Sequence, residues 1–190
     1  DDKVDLSNLN RQIIFNSSDI GKFKVIQAKK ILDNINKKIK VNIYKSRLTK
    51  KNIKKILDKY EIICDCSDNF NTRYLINDYC LKNKKILISA AISKFDAQIF
   101  NFNFKENIPC YRCFMPEIPE LENKCDTEGI LPTVAGIAGT LQANEVIKSI
   151  IDKKSELVGK MIVFNTHDLN FRKIRLTKNS QCIGDCKKYA

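Results

Sequence analysis

Four of the eight cysteines form two close pairs, a spacing typical of a zinc site. Two residues separate Cys110 from Cys113, and three separate Cys182 from Cys186 near the end of the sequence. Four thiolates complete a tetrahedron around zinc and leave no open position for catalysis. The spacing therefore predicts a structural zinc site that ties the end of this sequence to its middle. The alternative is four thiols that bind no metal.

A second polar cluster, Asp65-Cys66-Ser67-Asp68-Asn69, follows an apolar run that predicts a buried strand. In parallel α/β sheets, ligands bind beyond the carboxyl ends of the strands. Carboxylates at such an end suit Mg²⁺, which prefers one or two carboxylates together with phosphate oxygens. The alternative is a turn in which Asp and Ser side chains cap the next helix. These residues alone leave both readings open, because one Asp could cap while the other binds metal.

Near the start lie four polar residues that suit a polyphosphate: Asn8, Arg11, Gln12 and Lys24. Arginine and lysine stabilise phosphate charge. In a chain this rich in lysine, Lys24 by itself is better explained as surface charge. Arg11 is harder to explain that way, because arginine is scarce in this sequence.

The remaining cysteines have simpler interpretations. Cys125 lies beside Lys124 in a polar stretch, where it is either a nucleophile of lowered pKa or an idle loop cysteine. Apolar surroundings predict that Cys64, Cys66 and Cys80 are packing residues. The single histidine, His167, has no partner pattern and is read as structural.

Composition bounds the class of protein. The 190 residues are 43% hydrophobic and 29% charged, as in globular proteins. No apolar run of about 18 residues and no signal peptide is present, and eight cysteines without a secretion signal favour a reducing compartment, so we expect a cytoplasmic protein away from membranes. The net charge of +12 comes from scattered lysines and not from a basic arm, so biased composition explains it better than nucleic-acid binding does, and an acidic protein partner stays open.

Strand and helix patterns alternate up to residue 90. Apolar spacing predicts helices in residues 25–35, 53–60 and 70–82 and strands in residues 39–43, 61–65 and 86–90. Beyond these we expect a loop over 105–130, a helix over 133–152 and further strands at 98–104, 162–164 and 171–176. This order predicts an α/β fold: a Rossmann-like, mostly parallel sheet with helices on both faces, an antiparallel C-terminal extension and the four-cysteine zinc staple.

At these residues the sequence resembles the ThiF/MoeB/HesA adenylyltransferases, relatives of the ubiquitin-activating enzymes. The resemblance covers essentially all 190 residues as one domain. The segments that carry it, besides the terminal cysteine pair, are VDLSNLNRQIIF (4–15), DIGKFK (19–24), DCSDNFNTR (65–73), PCYRCFMPE (109–117) and GILPTVAGIAGTLQANEVIK (129–148).

The resemblance implies ATP- and Mg²⁺-dependent adenylation of the C-terminal glycine of a ubiquitin-like sulfur carrier ending in Gly-Gly. It implies that Arg11 and Lys24 contact the ATP phosphates, that Asp68 holds Mg²⁺ and that Cys125 matches a cysteine which only some members use covalently. Further ATP-pocket residues would be Asn8, Gln12 and Asn69. The resemblance also implies zinc on the four paired cysteines and a homodimer.

The sequence departs from the family pattern at its start and its end. The family begins with a strand, a G-x-G-x-x-G loop, a helix and a strand ending in a ribose-binding Asp, and none of these precedes Asp1. We therefore expect an N-terminally incomplete domain that binds ATP poorly on its own. The three-residue spacing of Cys182 and Cys186 is looser than that of Cys110 and Cys113.

These observations favour a sulfur-carrier adenylyltransferase of molybdopterin biosynthesis. The equivalent thiamine-pathway enzyme is the first alternative, because no residue decides between the two carriers. A non-catalytic, zinc-stapled module that binds a ubiquitin-like protein is the second. A nucleic-acid-binding zinc domain would predict strongly salt-dependent binding, but a parallel-sheet pattern with Asp68 at a strand end does not call for it.

Overall fold

The computed structural model describes residues 1–118, 129–151, 153–182, 184 and 186. The chain forms two compact units, Asp1–Leu48 and Thr49–Ala190. We refer to them as the N-terminal unit and the C-terminal unit, and describe each by itself.

Short helices and tight turns make up the N-terminal unit. Its 3-10 turns, Leu6–Asn8 and Ser17–Asp19, each begin with a side chain that accepts a backbone hydrogen bond, from Asp5 and Asn16 respectively. Helix α1 spans Lys24–Ile35, as the apolar spacing predicts. The turn before α1 requires the left-handed backbone of Gly21 (φ 79°), which favours a residue without Cβ.

The strand predicted at residues 39–43 is not formed. These residues have no regular secondary structure, and the Ile39 side chain is 59% exposed. Alternating apolar residues form a strand only where a neighbouring strand pairs with them. In the part of this unit that the structure describes, the one bridge joins Lys3 to Phe23.

The C-terminal unit is built on a sheet in the order β1-β2-β3-β4-β5. The strands are Ile62–Asp65 (β1), Ile86–Ser93 (β2), Asp96–Asn103 (β3), Lys160–Asn165 (β4) and Asn170–Arg175 (β5). Strands β1 and β2 are parallel, and the other three pairs are antiparallel. The helix between β1 and β2, α3 (Phe70–Lys82), makes their parallel arrangement possible, because parallel strands need a crossover connection.

Helices lie on both faces of this sheet because successive residues of its central strands direct apolar side chains to opposite faces. On one face, Ala97 and Ile99 of β3 pack with Val134 and Ala138 of helix α5 (Pro132–Ile150). On the other face, Phe100 packs against the short helix α4 (Tyr111–Phe114), with ring centroids 5.6 Å from Tyr111 and 5.3 Å from Phe114. Helix α3 lies on this second face too, because the Asn77 side chain bonds to the Tyr111 backbone.

The predicted α/β architecture, with helices on both faces and an antiparallel extension, is confirmed. The prediction that the sheet is mostly parallel is wrong for the described residues: β1–β2 is their one parallel pair, and the other three pairs are antiparallel. The turns that join β2 to β3 and β4 to β5 are too short for the crossover that parallel strands need. Helix α2 is shorter than predicted and covers Ile53–Leu57. Helix α4 lies inside the segment of residues 105–130 that was predicted to be a loop. Among the described residues, no helix is both long enough and apolar enough to span a bilayer.

Candidate functional site

The N-terminal unit places three of the predicted polar residues on consecutive turns. The Asn8 side chain closes the first 3-10 turn against the Asp5 backbone (3.4 Å). One terminal nitrogen of Arg11 donates to the Ser7 carbonyl (2.9 Å). The Gln12 backbone N–H donates to the Asn8 carbonyl (2.9 Å), and its side-chain Oε1 is buried without a hydrogen-bond partner in the described structure. The segment therefore holds Arg11 in one orientation and leaves Gln12 with an unused acceptor.

Lys24 is the first residue of α1 and makes an ion pair with Asp2, at 2.5 Å between Nζ and Oδ2. The hydrogen bond from Lys24 lowers the pKa of Asp2. The Asp2 side chain is 71% exposed, so this pair can exchange for another anion at little cost. The arrangement is compatible with a lysine that contacts a phosphate group.

In the C-terminal unit, a buried carboxylate fixes the end of β1. Asp65 is 2% exposed. Its Oδ1 accepts hydrogen bonds from the Ser67 backbone (2.9 Å) and hydroxyl (2.7 Å), and its Oδ2 accepts one from the Ser89 hydroxyl (3.0 Å). A carboxylate can accept about four hydrogen bonds, one along each lone pair, and Asp65 already accepts three. Asp65 therefore shapes the loop and is not free to bind a metal ion.

The two roles predicted for this loop, helix cap and Mg²⁺ ligand, fall to neighbouring residues. Asn69 caps α3, because its Oδ1 accepts a hydrogen bond from the Thr72 backbone at 2.9 Å. Asp68 does not cap the helix; its carboxylate is exposed, and its hydrogen bond with the Asn69 amide measures 3.3 Å. One exposed carboxylate just beyond a parallel strand is the protein ligand that Mg²⁺ takes beside phosphates. The residues present thus fit Mg²⁺ at Asp68.

The structure brings together the four paired cysteines. Their sulfur atoms all lie within 4.8 Å of one another. Cys110 and Cys182 are 3.7 Å apart, Cys113 and Cys186 are 3.5 Å apart, and Cys182 and Cys186 are 3.4 Å apart. Zinc–sulfur bonds of about 2.3 Å imply a tetrahedron with edges of about 3.8 Å, close to these three separations.

The Cys110–Cys186 separation and the backbone at Gly184 also bear on whether the four sulfurs fit one zinc ion. Cys186 lies 2.8 Å from Cys110, so these sulfurs would move apart by about 1 Å to share a zinc ion. Gly184 fits between the paired cysteines because a Cβ there would lie 3.1 Å from Arg112 and 3.3 Å from the Cys110 sulfur. A hydrogen bond from Cys186 lowers the pKa of Cys110 to about 6 and raises the pKa of Cys186. The donor set fits a structural zinc ion.

Helix α3 anchors the turn that carries Cys110 and Cys113. The buried Asn77 accepts a hydrogen bond from the Tyr111 backbone at 2.9 Å. Asp78 accepts two bonds of 2.8 Å from the Arg112 guanidinium, which also lies over the Tyr74 ring at 4.1 Å. These contacts set the direction of the cysteine turn independently of any metal.

The predictions for the other cysteines have mixed outcomes. Cys125 lies outside the described residues. Cys80 is fully buried, as expected of a packing residue. Cys64 and Cys66 are exposed, so the prediction that they are packing residues is wrong for these two. Cys64 alternates with the buried Ile63 and Asp65 along β1, and its side chain therefore projects from the opposite face. Cys66 follows the strand, and its thiol donates to Oε1 of Gln142 at 3.2 Å.

Sequence reasoning missed two buried polar residues of α5. The Gln142 amide donates to the carbonyls of Asp65 (3.0 Å) and Ile88 (2.8 Å), and so joins β1 to β2. Glu145 accepts from Asn101 (2.9 Å) and from the Ser155 hydroxyl. The available signal was spacing: Val134, Ala138, Gln142 and Glu145 form one buried stripe at helical intervals.

A separate cleft of about 590 Å³ lies in the same unit. Its lining includes the first residue of β2, Ile86, together with Asn101 and Lys148. The predicted site residues do not line it. The loop of Asp68 follows the opposite, carboxyl end of the neighbouring strand β1.

Comparison with known proteins agrees with this fold. The chain superimposes on a crystal structure of E. coli MccB with ATP, with a TM-score of 0.82 and 21% identity, over 98% of this chain and 57% of that one. The model of the ThiF family matches residues 1–184. The chain therefore belongs to the ThiF family.

Curated relatives are more similar in sequence. A probable molybdopterin-synthase adenylyltransferase from Pyropia yezoensis is 41% identical over all of this chain and 50% of its own length. A sulfur carrier protein adenylyltransferase from Thermus thermophilus is 34% identical over 95% of this chain and 69% of its own length. The chain spans about half the length of the first of these relatives.

Proposed function

We propose that the protein adenylates the C-terminal glycine of a ubiquitin-like sulfur carrier in molybdopterin biosynthesis. The observation that carries this proposal is the 41% identity, across the whole chain, to a probable molybdopterin-synthase adenylyltransferase. The exposed carboxylate of Asp68, on a loop whose other polar residues are engaged, supports it. The two units would then be parts of one adenylyltransferase domain.

In this reaction a carboxylate of the carrier attacks the α-phosphate of ATP. The bond from the α-phosphorus to the bridging oxygen breaks, and pyrophosphate leaves. Both reactants are anionic, so positive charge is needed to offset their repulsion. Mg²⁺, when bound, supplies part of that charge.

Arg11 and Lys24 would supply the rest by contacting the phosphates, and Asp68 would hold the metal ion. Asn8, Gln12 and Asn69 would line the nucleotide pocket. The buried, unpartnered Oε1 of Gln12 supports a polar contact there, because such acceptors are rarely left unused in proteins. Zinc on Cys110, Cys113, Cys182 and Cys186 would be structural.

The carrier, expected to end in Gly-Gly, would be attracted by the net charge of +12 if it is acidic. The family resemblance further supports a homodimer in the cytoplasm. It also assigns to Cys125 the position of the family's conditional cysteine, which would act after adenylation in those members that use it.

Exchange of labelled pyrophosphate into ATP tests the proposal. The full-length protein should catalyse the exchange only with a carrier, and more with a molybdopterin-type carrier than with a thiamine-type carrier. Asp68→Asn keeps the side-chain shape and should lower the rate about a thousandfold, because it removes the charge that holds the metal ion. Asp168→Asn, the same change at an exposed carboxylate in the β4–β5 turn, should have no effect. Full exchange by Asp68→Asn would refute the assignment.

A further inference from the structure

The side chain of Gln142 joins helix α5 to the end of β1, where the loop of Asp68 begins. Gln142 is 5% exposed, and its amide nitrogen donates to the Asp65 carbonyl at 3.0 Å and to the Ile88 carbonyl at 2.8 Å. Its Oε1 accepts a hydrogen bond from the Cys66 thiol at 3.2 Å. Only one orientation of the amide satisfies all three contacts, because the reverse would place its oxygen against two carbonyls. Gln142 is therefore a donor to the sheet and an acceptor from the loop.

These bonds lie where the pairing of β1 with β2 stops. The last pair joins Asp65 to Ser89, whereas β2 continues to Ser93 beside β3. Backbone pairing to β2 therefore does not set the course of the chain beyond Asp65. The Gln142 amide lies at this point and binds the Asp65 carbonyl and, through the Cys66 thiol, the first residue after the strand. It holds the chain on both sides of the place where the chain leaves the sheet.

The next residue, Ser67, is held by other side chains. Its N–H and hydroxyl donate to Asp65, and its carbonyl accepts two bonds from Arg73, at 3.2 and 2.8 Å. After Asp68, the Asn69 side chain caps α3. The Asp68 carboxylate is itself exposed, and the Asn69 amide donates to it at 3.3 Å. The direction of this carboxylate therefore depends on how firmly the backbone around it is held.

An amide at the buried position of Gln142 has a cost that an apolar side chain would not have. Val134 and Ala138 belong to the same buried stripe of α5 and pack the helix against the sheet without side-chain polar atoms. A buried amide is tolerated only when its polar atoms are bonded, and packing alone does not require one. The three hydrogen bonds of Gln142 therefore serve the position of the chain at the end of β1, in addition to helix packing.

We propose that Gln142 is a positioning residue, which directs the Asp68 carboxylate by fixing Asp65 and Cys66. Cys66 has a part in this, because its thiol is the donor through which α5 holds the first residue of the loop. The binding of Mg²⁺ by Asp68 rests on the proposed function. The control of the loop by Gln142 rests on the hydrogen bonds alone.

Amide hydrogen exchange of the full-length protein without nucleotide tests the control of the loop. Gln142→Met keeps the length of the side chain and should make residues 66–69 exchange about tenfold faster, because three hydrogen bonds are lost. Val134→Ala, a cavity-forming change in the same helix, is the control: it should lower the free energy of unfolding without selectively speeding exchange at residues 66–69. Unchanged loop exchange in Gln142→Met would overturn the proposal, as would an equal increase in Val134→Ala.

Two changes at Cys66 isolate the contact between α5 and the loop. The side chain is exposed, so we expect both variants to fold as the wild type does. Cys66→Ala removes the donor and should speed exchange at residues 66–69 about threefold, whereas Cys66→Ser supplies a hydroxyl donor and should return the rate close to that of the wild type. Equal rates in Cys66→Ala and the wild type would overturn the part assigned to the thiol.

Pyrophosphate exchange separates this inference from the proposed function. A positioning role predicts that Gln142→Met raises the KM for Mg²⁺ about tenfold and changes kcat less, because the carboxylate of Asp68 is present but misdirected. Val134→Ala should leave this KM unchanged. An unchanged KM for Mg²⁺ in an active Gln142→Met protein would overturn the positioning role. If even the wild type lacks exchange activity while the loop responds as described, the proposed function fails and the control of the loop by Gln142 stands.

Discussion

Arg112 and Asp78 form a two-pronged ion pair that joins the cysteine turn to helix α3. Both hydrogen bonds measure 2.8 Å, and the pair raises the pKa of Arg112. Arg112 lies between Cys110 and Cys113, and its Cδ is the atom nearest to a Cβ placed on Gly184. The same side chain thus supports both halves of the cysteine cluster.

Removing this ion pair should weaken zinc binding by the four-cysteine cluster more than it destabilises the fold. We expect Asp78→Asn to lower zinc affinity about tenfold, as changes around metal ligands commonly do. The Asp78 side chain is 43% exposed, so solvent screens the pair and the loss of stability should be about 1 kcal/mol. Competition with a colorimetric chelator measures the first quantity, and urea unfolding the second. Asp33→Asn, at the helical pair with Lys29, is the control and should leave zinc affinity unchanged.

Zinc content follows from the four sulfur atoms. We expect one zinc ion per chain when the protein is purified under reducing conditions, because four thiolates fill the coordination sphere. Cys186→Ser should lose the ion, and Gly184→Ala should weaken its binding because the added Cβ would crowd Arg112 and Cys110. Elemental analysis and chelator titration give both results. A stably folded protein without metal would contradict the prediction.

Local spacing predicted those features that depend on nearby residues. The Cys110–Cys113 turn could be recognised because two thiols separated by two residues already suit one metal ion. Strand β1 and the polar loop after it could be recognised because an apolar run ended in Asp65 and Asp68. The predicted function rested on the resemblance, because spacing alone cannot specify a carrier protein.

Features that depend on distant partners could not be predicted. The strand expected at residues 39–43 is absent although its pattern is suitable, because a strand needs an edge to pair with. Gln142 looks like an ordinary helix residue until β1 and β2 present carbonyls to it.

Glu145 should make stability depend on acid pH. Burial favours its neutral form, but hydrogen bonds from Lys148, Ser155 and Asn101 outweigh this and lower its pKa below the ordinary 4.5. The unfolded state therefore binds a proton more readily, so this contribution is complete above about pH 5 and is lost as the pH falls through the folded-state pKa.

The variant Glu145→Gln isolates this contribution. We expect it to lower the free energy of unfolding by about 2 kcal/mol at neutral pH, because three hydrogen bonds lose a charged acceptor. The difference from wild type should shrink between about pH 5 and pH 3. Denaturant unfolding at several pH values gives both numbers, with the exposed Glu156→Gln as the control. A difference that stays constant with pH would show that Glu145 is already neutral in the folded protein.

Cys64 and Cys80 should resist alkylation for different structural reasons and to different extents. Partial loss of hydration raises the pKa of Cys64 to about 11 although its side chain is in part exposed, whereas full burial raises that of Cys80 to about 12, from an ordinary 9.0. At about pH 8, Cys64 should therefore react with iodoacetamide roughly a hundredfold more slowly than a free thiol, because only the thiolate is nucleophilic.

Mass spectrometry of peptides taken during the reaction measures both rates. The alkylation rate of Cys64 should rise about tenfold for each unit of pH up to its pKa, because its side chain is exposed and only the thiolate reacts. Cys80 is fully buried and should react only as fast as the protein opens, so a destabilising change such as Glu145→Gln should accelerate Cys80 and not Cys64. Rapid labelling of Cys64 at neutral pH would mean that its thiol ionises far more easily than its surroundings at the end of β1 allow.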